Sequence, residues 1–450
     1  MSHNDIVGHS DRRSPKEEQF CRIARYLELG RITVAIEGIG DEDEFTLILH
    51  KFVSASEPIT SIEHLRGRVD QAEGIYRALR SPGRSAFIYG DRGVGKTSLA
   101  QTSAFRFHTS GSDPTFLSID ASSTFFSFIR DAANEAASIR PDLINQKAKA
   151  GIKTGVKGLS AEYIREIQLG KIPTPTSMNE AVSMIDFFYP DDGVPKVVVV
   201  DEFERLLESS ERALFADFIK QVGDRKLAVK FIICGVGNSL DELLSEHHSC
   251  FRYLETIKLE RLGWEARNEI IDTVFDAFNI NIDKILKWKI SSISDGYPYY
   301  VHIICEKLLW EIYDAQHLVK YCGDDLLKIS IDKAVSSIEP QLKTAYDSAT
   351  KKYKSDYEEV LWAAADHQNL ERRSSDIFDS YERLMELRED KLPRTKFNTR
   401  LNALKKETHG SILIGTRQGW YSFNENVVRG YVRLRAEQEG VSLDVYNDED

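Results

Sequence analysis

Residues 86–100 join a short apolar run, a glycine-rich loop and the first turn of a helix. The apolar run Ala86–Tyr89 is typical of a buried strand, and Ser98, Leu99 and Ala100 continue the loop as a helical turn would. Glycine permits backbone conformations that turn successive N–H groups inward, and a helix N-terminus adds a positive partial charge. We therefore predict an anion-binding loop between a strand and a helix. A glycine-rich turn that arises by chance is the alternative.

The loop has the spacing G-x-x-x-x-G-K-[ST] of a phosphate-binding loop. In this spacing Lys96 reaches the β- and γ-phosphates of a nucleotide, and the hydroxyl of Thr97 ligates Mg²⁺, a hard cation that prefers oxygen. We therefore predict that ATP and Mg²⁺ bind here. The residues predicted to hold them are Gly90, Asp91, Arg92, Gly93, Val94, Gly95, Lys96, Thr97 and Ser98.

A second informative stretch ends in two carboxylates. Four consecutive valines, Val197–Val200, are typical of a strand buried on both faces of a parallel sheet, and Asp201 and Glu202 follow at its carboxyl end. We expect Asp201 to complete the Mg²⁺ coordination begun by Thr97, and Glu202 to orient and deprotonate the attacking water. The alternative is an ordinary strand end in which Asp201 caps the next helix.

A third apolar run, Val229–Gly235, is followed by Val-Gly-Asn. The amide of Asn238 is placed to hold the catalytic water or the γ-phosphate, or else to cap the helix that starts near Leu240. Strands that alternate with helices predict an α/β fold, with a parallel sheet covered by helices on both faces.

These motifs resemble those of the AAA+ ATPases, in particular the origin-recognition and initiator branch and the neighbouring STAND signalling NTPases. The resemblance implies that Arg68, in the segment before the core, helps to hold the adenine, and that Asn238 is the sensor after the fourth strand. It also implies that Arg252 is an arginine finger acting on a neighbouring subunit's nucleotide. A solvated surface arginine is the alternative for Arg252.

One stretch departs from the initiator pattern. Initiators usually carry an arginine near residue 297 that senses the γ-phosphate, whereas Gly296-Tyr297-Pro298 resembles the G-x-P motif of STAND proteins, in which the proline packs against the nucleotide. Pro298 is therefore expected at the nucleotide. The missing arginine favours slow hydrolysis and a nucleotide-held switch, unless Gly-Tyr-Pro is only a loop that starts a helix.

The length of 450 residues suggests several compact units. The net charge of −12 argues against a protein whose whole surface coats nucleic acid. No apolar run approaches the length of a membrane span, so we expect a soluble, cytoplasmic protein. We expect an N-terminal extension over 1–58, with a strand over Phe45–Leu49. The AAA+ core is expected over 59–262, with an insertion over about 125–190. Within it, the basic residues 146–158 predict a solvated loop or a hairpin. A helical lid over 263–354 follows.

Residues 355–450 are expected to form a winged-helix domain of three helices and a β-hairpin. The third helix, which begins near Pro393, and the hairpin tip are basic. This arrangement resembles the DNA-binding winged helix of origin-recognition ATPases, although such domains also contact proteins. The residues predicted to contact DNA are Arg394, Lys396, Arg400 and Arg417.

Together these features predict an ATP hydrolase that uses Mg²⁺ to control oligomerisation and the engagement of DNA or a partner. The expected partners are further copies of the chain and double-stranded DNA. The alternative function is a STAND-like nucleotide switch in signalling or antiphage defence, which would recruit a separate effector protein.

Overall fold

The computed structural model describes residues 35–53, 61, 65–108, 113–194, 196–237, 248–351, 356–386 and 391–443. The helix that the sequence indicates over 17–29, most of the strand over 31–36, and Asn238 lie outside these residues. Among the residues described, no helix is both long enough and apolar enough to cross a membrane.

The core is a five-stranded parallel sheet with the strand order β2-β3-β4-β1-β5. Its strands are β1 (Ser85–Tyr89), β2 (Thr115–Ser118), β3 (Lys196–Asp201), β4 (Val229–Gly235) and β5 (Leu254–Lys258). In β3, Val197 and Val199 pack into one buried cluster and Val198 and Val200 into another on the opposite face. The α/β fold predicted for the core is thereby confirmed.

Helices cover both faces of this sheet. The helices next to the strands are α2 (Val69–Arg80), α3 (Lys96–Phe107) and α8 (Ser209–Asp224). Between β2 and β3 lie four more helices: α4 (Phe125–Ile139), α5 (Pro141–Thr154), α6 (Ala161–Gln168) and α7 (Met178–Phe188). Because α3 begins at Lys96 and β3 ends at Asp201, the two predicted nucleotide motifs meet at the carboxyl edge of the sheet.

Helix α5 corrects the prediction of a loop or hairpin over 146–158 for residues 146–154, whereas residues 155–158 lie outside the helix, where Val156 forms an isolated antiparallel bridge with Leu159. Pro141 stands in its first turn, where its fixed backbone angle favours a helix, and the chain leaves the helix at Gly155 with φ 75°. Ile144 and Ala148 lie one helical turn apart and are buried. Lys147, Lys149 and Lys153 therefore belong to an amphipathic helix with an apolar face, whereas Lys157 follows that helix.

Helix α1 (Glu42–Phe52) corrects the prediction of a strand over Phe45–Leu49. The Asp41 carboxylate accepts a hydrogen bond from the Glu44 backbone at 2.9 Å and so caps the helix. Phe45 and Leu49 are buried four residues apart, whereas Leu47 is 74% exposed. The apolar run was misleading because Phe45 and Leu49 face the core, whereas Leu47 faces solvent.

The region after β5 is helical and is called the lid below. It contains α9 (Trp264–Asp276), α10 (Lys284–Ile293), α11 (Pro298–Tyr313), α12 (Leu327–Ser337) and α13 (Pro340–Thr350), with a two-stranded parallel pair, β6 (Asn281–Ile282) and β7 (Tyr321–Cys322). Helix α1 packs on the lid through Phe45, which contacts the rings of Phe278, Trp310 and Tyr313.

Residues 356–443 are called the C-terminal module below. Its helices are α14 (Asp356–Ala365), α15 (Ser374–Leu384), α16 (Arg394–Ala403) and α17 (Asn426–Gln438). Its strands, β8 (Arg372–Arg373), β9 (Leu413–Arg417) and β10 (Trp420–Phe423), form a sheet in the order β8-β10-β9. Three helices and a hairpin thus occur in the predicted order, and α17 returns to pack on the lid.

Candidate nucleotide site

The phosphate-binding loop, residues 90–97, adopts the backbone that its glycines were expected to permit. Gly93 has φ 81° and Gly95 has φ 94°, both in the left-handed region. A Cβ atom added to Gly90 would lie 2.2 Å from the carbonyl oxygen of Leu259. The Lys96 ammonium donates to the carbonyl oxygens of Gly90 at 3.1 Å and Asp91 at 2.9 Å. The lysine therefore spans the loop that would cradle phosphates.

Thr97 and Asp201 meet as the sequence predicts for an Mg²⁺ site. The Thr97 hydroxyl donates to a carboxylate oxygen of Asp201 at 2.6 Å, although 104 residues separate them in the chain. Hydroxyl and carboxylate oxygens are the ligands that Mg²⁺ prefers. Since both groups stand beside the loop where phosphate oxygens would lie, this donor set fits the metal.

Glu202 is held in an unusual backbone conformation. Its φ is 56°, in the left-handed region that residues with a side chain rarely adopt, and its N–H donates to the Asp201 carboxylate at 2.9 Å. Its carboxylate accepts from the Ser118 hydroxyl at 3.1 Å and pairs with Arg205 at 3.1 Å. Strained conformations of this kind cluster at functional sites.

Ser118 and Arg205 are site residues that the sequence analysis missed. Ser118 ends β2 and lies in register beside Asp201 on β3. Both strands run in the same direction, so their last residues share the edge at which ligands bind. A polar residue that ends the short apolar run Thr115–Ser118 was the signal that could have identified Ser118.

The side chain of Arg68 contacts main-chain oxygens of the loop and of the connection after β5. It is 6% exposed and donates to the carbonyl oxygens of Glu260 and, at 3.4 Å, Val94. Burial lowers the pKa of its guanidinium to about 10, so the side chain remains charged at neutral pH. Arg68 therefore connects its own segment to the loop, at Val94, and to the residues after β5, at Glu260.

Arg252 lies apart from these groups. It is exposed in a short 3₁₀ helix, His248–Tyr253, that precedes β5. A side chain that points into solvent in one copy of the chain is available to a neighbouring copy. Whether it acts as an arginine finger stays a prediction.

The Gly-Tyr-Pro motif lies against the loop. Pro298 opens α11, and a Cβ added to Gly95 would lie 4.0 Å from its Cγ. Tyr297 is fully buried, and a Cβ added to Gly93 would lie 3.5 Å from its ring. Tyr297 and Pro298 therefore stand beside the loop, and contact of Pro298 with the nucleotide stays a prediction.

The C-terminal module also contacts the loop, which the sequence did not predict. The Asn426 amide, at the start of α17, donates to the Asp91 carboxylate at 2.9 Å, and a Cβ at Gly93 would lie 3.0 Å from Cγ2 of Val427. Arg92 donates to the side chain of Gln341 in the lid at 2.8 Å. No local sequence pattern could indicate a contact across 335 residues.

A buried charge cluster joins the lid to α17. Asp295 is 4% exposed and pairs with Arg261 at 2.6 Å, Arg433 at 3.3 Å and Arg429 at 3.6 Å. Burial lowers the pKa of Arg429 to about 9, while the Asp295 charge acts in the opposite direction. The arginines near the Gly-Tyr-Pro motif thus come from distant parts of the chain.

A cleft of about 600 Å³ adjoins the loop at Gly90, Asp91 and Val94. The loop forms one side of this cleft, and the connection from β5 to α9, residues 258–264, forms a second. Gln368, Leu370 and Asn426 of the C-terminal module form the third side. Ligand pockets commonly have a volume of this order.

The four predicted DNA-contacting residues differ in their surroundings. Arg400 pairs with the Asp356 carboxylate at 3.0 Å, and Arg394 lies 4.4 Å from the Phe378 ring centre. Lys396 on α16 is exposed. Arg417, also exposed, ends β9 and lies 3.8 Å from the Trp420 ring centre. Lys396 and Arg417 therefore present the more accessible charges.

Residues 86–260 match the family model described as the ATPase family associated with various cellular activities (AAA). The matched region begins in β1 and ends just after β5, so it includes the loop, Asp201 and Glu202. No curated protein matches the chain in sequence.

Several solved structures resemble the chain at low identity. A Walker-type ATPase of Pyrococcus abyssi has 16% identity and a TM-score of 0.48, with 84% of this chain and 99% of that one covered. The ORC2 protein of Aeropyrum pernix, in its ADPNP–ADP complexes, has 12% identity and a TM-score of 0.44, with 87% and 98% covered. Cdc6p of Pyrobaculum aerophilum has 14% identity and a TM-score of 0.43, with 88% and 98% covered.

Proposed function

We propose, from the premise that residues 86–260 form an ATPase domain of the AAA family, that this protein binds ATP with Mg²⁺ and hydrolyses it. The observation that carries the proposal is the contact of Thr97 with Asp201 beside the phosphate-binding loop. It joins the two motifs that nucleotide hydrolysis requires, one for the phosphates and one for the metal and the water.

The positions of the side chains support the following roles. Backbone N–H groups of the loop and the N-terminus of α3 bind phosphate oxygens, and Lys96 adds a positive charge. Thr97 and Asp201 hold Mg²⁺, which when bound neutralises phosphate charge. Glu202, beside them, orients the attacking water and accepts its proton. Ser118 and Arg205 fix the orientation of that carboxylate.

We further propose that ATP binding controls assembly and DNA engagement. Exposed Arg252 is available to the nucleotide of a second copy, which would make turnover depend on oligomerisation. The exposed charges of Lys396 and Arg417 suit the phosphate backbone of double-stranded DNA, with α16 as the recognition helix and the β9–β10 hairpin as the wing.

The alternative, a switch that holds ADP and recruits a separate effector, is supported by Pro298 beside Gly95. It is not favoured, because Asp201 and Glu202 supply the groups that hydrolysis needs. If the purified protein retained ADP and did not turn over ATP, that result would support this alternative.

Equilibrium binding of ATP to the full chain tests the proposal. Lys96→Ala removes the charged hydrogen-bond donor of the loop, so the Kd for ATP should rise about tenfold or more. Lys171→Ala, at an exposed lysine outside the site, is the matched control and should bind as the unaltered chain does. Equal affinity in both variants would contradict a phosphate-binding role for the loop.

A further inference from the structure

A groove of about 480 Å³ lies between helices α11 and α12 of the lid. It is lined from residues 307–314 and 329–337, whereas the cleft beside the phosphate-binding loop is lined from other parts of the chain. We propose that this groove binds residues 17–29 of the same chain as an amphipathic helix. Those residues lie outside the ones that the structure describes. The shape of the groove, the sequence of 17–29 and the place where the described chain begins support this assignment, which does not depend on nucleotide binding.

Each of the two lid helices presents one face to the groove. The lining positions recur at spacings of three and four residues: Lys307, Trp310 and Asp314 along α11, and Ile329, Lys333 and Ser336 along α12. Such spacings keep side chains on one face of a helix, and each set covers about 10 Å of helix axis. The two faces therefore form a trough about 10 Å long, which suits a short third helix.

The trough offers apolar contact from both of its helices. Ile329 on α12 is 47% exposed, and Trp310 on α11 is half-buried. The Trp310 ring contacts the ring of Phe45 with 4.8 Å between their centroids, and the same indole lines the groove. A helix in the groove would contact Trp310 as well, so that α1 and residues 17–29 would both pack on this one indole.

Residues 17–29 have the pattern that such a groove requires. Phe20, Ile23, Ala24 and Leu27 recur at i, i+3, i+4 and i+7, which predicts a helix with one apolar face. This stripe over 20–27 is as long as the lining stretches 307–314 and 329–336. The apolar face of the segment and the groove therefore match in length.

The charges at the groove complement those of the segment. Lys307 and Lys333 stand on opposite helices of the groove. On a helix, Glu17 lies about one turn before the first residue of the apolar stripe and Glu28 about one turn after its third, so both carboxylates border the stripe. Lys333 pairs with Glu311, yet its side chain is 48% exposed, and an ammonium has three donors. It can therefore bind a second carboxylate.

The described chain begins beside this groove. The backbone N–H of Val319, shortly after the end of α11, donates to the carbonyl oxygen of Ala35 at 2.8 Å. The chain from Leu29 to Ala35 can extend over about 20 Å. The connection is therefore long enough for residues 17–29 to reach the groove of their own chain.

Hydrogen exchange of the full chain tests the proposal. The backbone amides of 20–27 should exchange at least about tenfold more slowly in the unaltered chain than in Ile329→Asp, because a carboxylate in the groove opposes burial of an apolar helix face. Ile285→Asp is the matched control, since Ile285 is 63% exposed on α10 of the same lid and does not line the groove. It should leave exchange over 20–27 unchanged.

Substitutions in the segment give a second test that leaves the lid sequence unaltered. Phe20→Asp should abolish the protection of 20–27, because it places a charge in the middle of the apolar stripe. Leu29→Asp is the matched control, since Leu29 falls on the opposite side of the predicted helix. It should retain the protection.

Fast exchange of 20–27 in the unaltered chain, or protection that survives either Ile329→Asp or Phe20→Asp, would overturn the proposal. Light scattering at the same protein concentrations identifies the other occupant. Protection that rises with concentration together with a dimer mass would place the segment on a second copy, and that result would also overturn docking within one chain.

Discussion

Gly93 meets two constraints at once. Its φ of 81° favours glycine, and its missing side chain leaves room for Val427 of α17. The first constraint belongs to the phosphate-binding loop and could be expected from its sequence. The second arises only from the packing of the C-terminal module.

Gly93→Ala should therefore weaken both stability and nucleotide binding. The left-handed backbone costs about 1–2 kcal/mol for alanine, and the new Cβ would lie 3.0 Å from Val427. Gly170→Ala is the matched control, because Gly170 has φ 77° and nothing within 4 Å of an added Cβ. Thermal unfolding and ADP titration measure both effects. Equal losses in the two variants would show that the contact with Val427 carries no cost.

The run Phe45–Leu49 predicts a strand, whereas the chain forms helix α1 there. Phe45 and Leu49, four residues apart, are the buried pair, and the cap at Asp41 favours a helix. Its attachment to the lid depends on the aromatic contacts of Phe45.

Phe45→Ala should lower the free energy of unfolding of the lid by about 3–5 kcal/mol, because it leaves a cavity among three aromatic rings. Leu47→Ala, two residues away and 74% exposed in the unaltered chain, should change it by less than about 0.5 kcal/mol. Denaturant unfolding followed by tryptophan fluorescence measures the difference, since Trp310 contacts Phe45. Similar effects of the two substitutions would contradict the observed packing.

Helix α16 and the β9–β10 hairpin carry the proposed DNA surface. Lys396→Ala and Arg417→Ala should each weaken duplex binding and reduce the slope of log K against log salt by about 0.9, as the loss of one phosphate contact requires. Arg400→Ala is the comparison. Its guanidinium pairs with Asp356, so its removal should affect stability more than the salt slope. Fluorescence anisotropy at several salt concentrations measures the slopes. An unchanged slope in both of the first two variants would contradict DNA contact by this surface.

Across the chain, the features that could be predicted depend on residues close together in sequence. The loop at 90–97 and the valines of β3 can each be recognised from a few consecutive residues. Parallel strands then bring Thr97 and Asp201 to the same edge of the sheet. The contacts of Asn426 with Asp91, and of Arg429 and Arg433 with Asp295, could not be predicted, because they depend on how α17 packs. Helix α5 was missed because lysines and glycines obscured its buried pair, Ile144 and Ala148.

These long-range contacts place the candidate nucleotide site among three parts of the chain. The core supplies the loop and carboxylates, the lid supplies Pro298, and the C-terminal module supplies Asn426. Such an arrangement allows a change at the phosphates to alter the position of the module that carries the proposed DNA surface.

Phosphate release from ATP by the full chain, with and without Mg²⁺, tests the proposed hydrolysis most directly. With Mg²⁺ the unaltered chain should turn over ATP. Glu202→Gln should be at least about 100-fold slower while it still binds ADP, because an amide cannot accept the proton from water. Glu208→Gln, at an exposed glutamate six residues further on, should retain full turnover. Turnover by Glu202→Gln equal to that of the unaltered chain would contradict the assignment of Glu202 and the mechanism built on it.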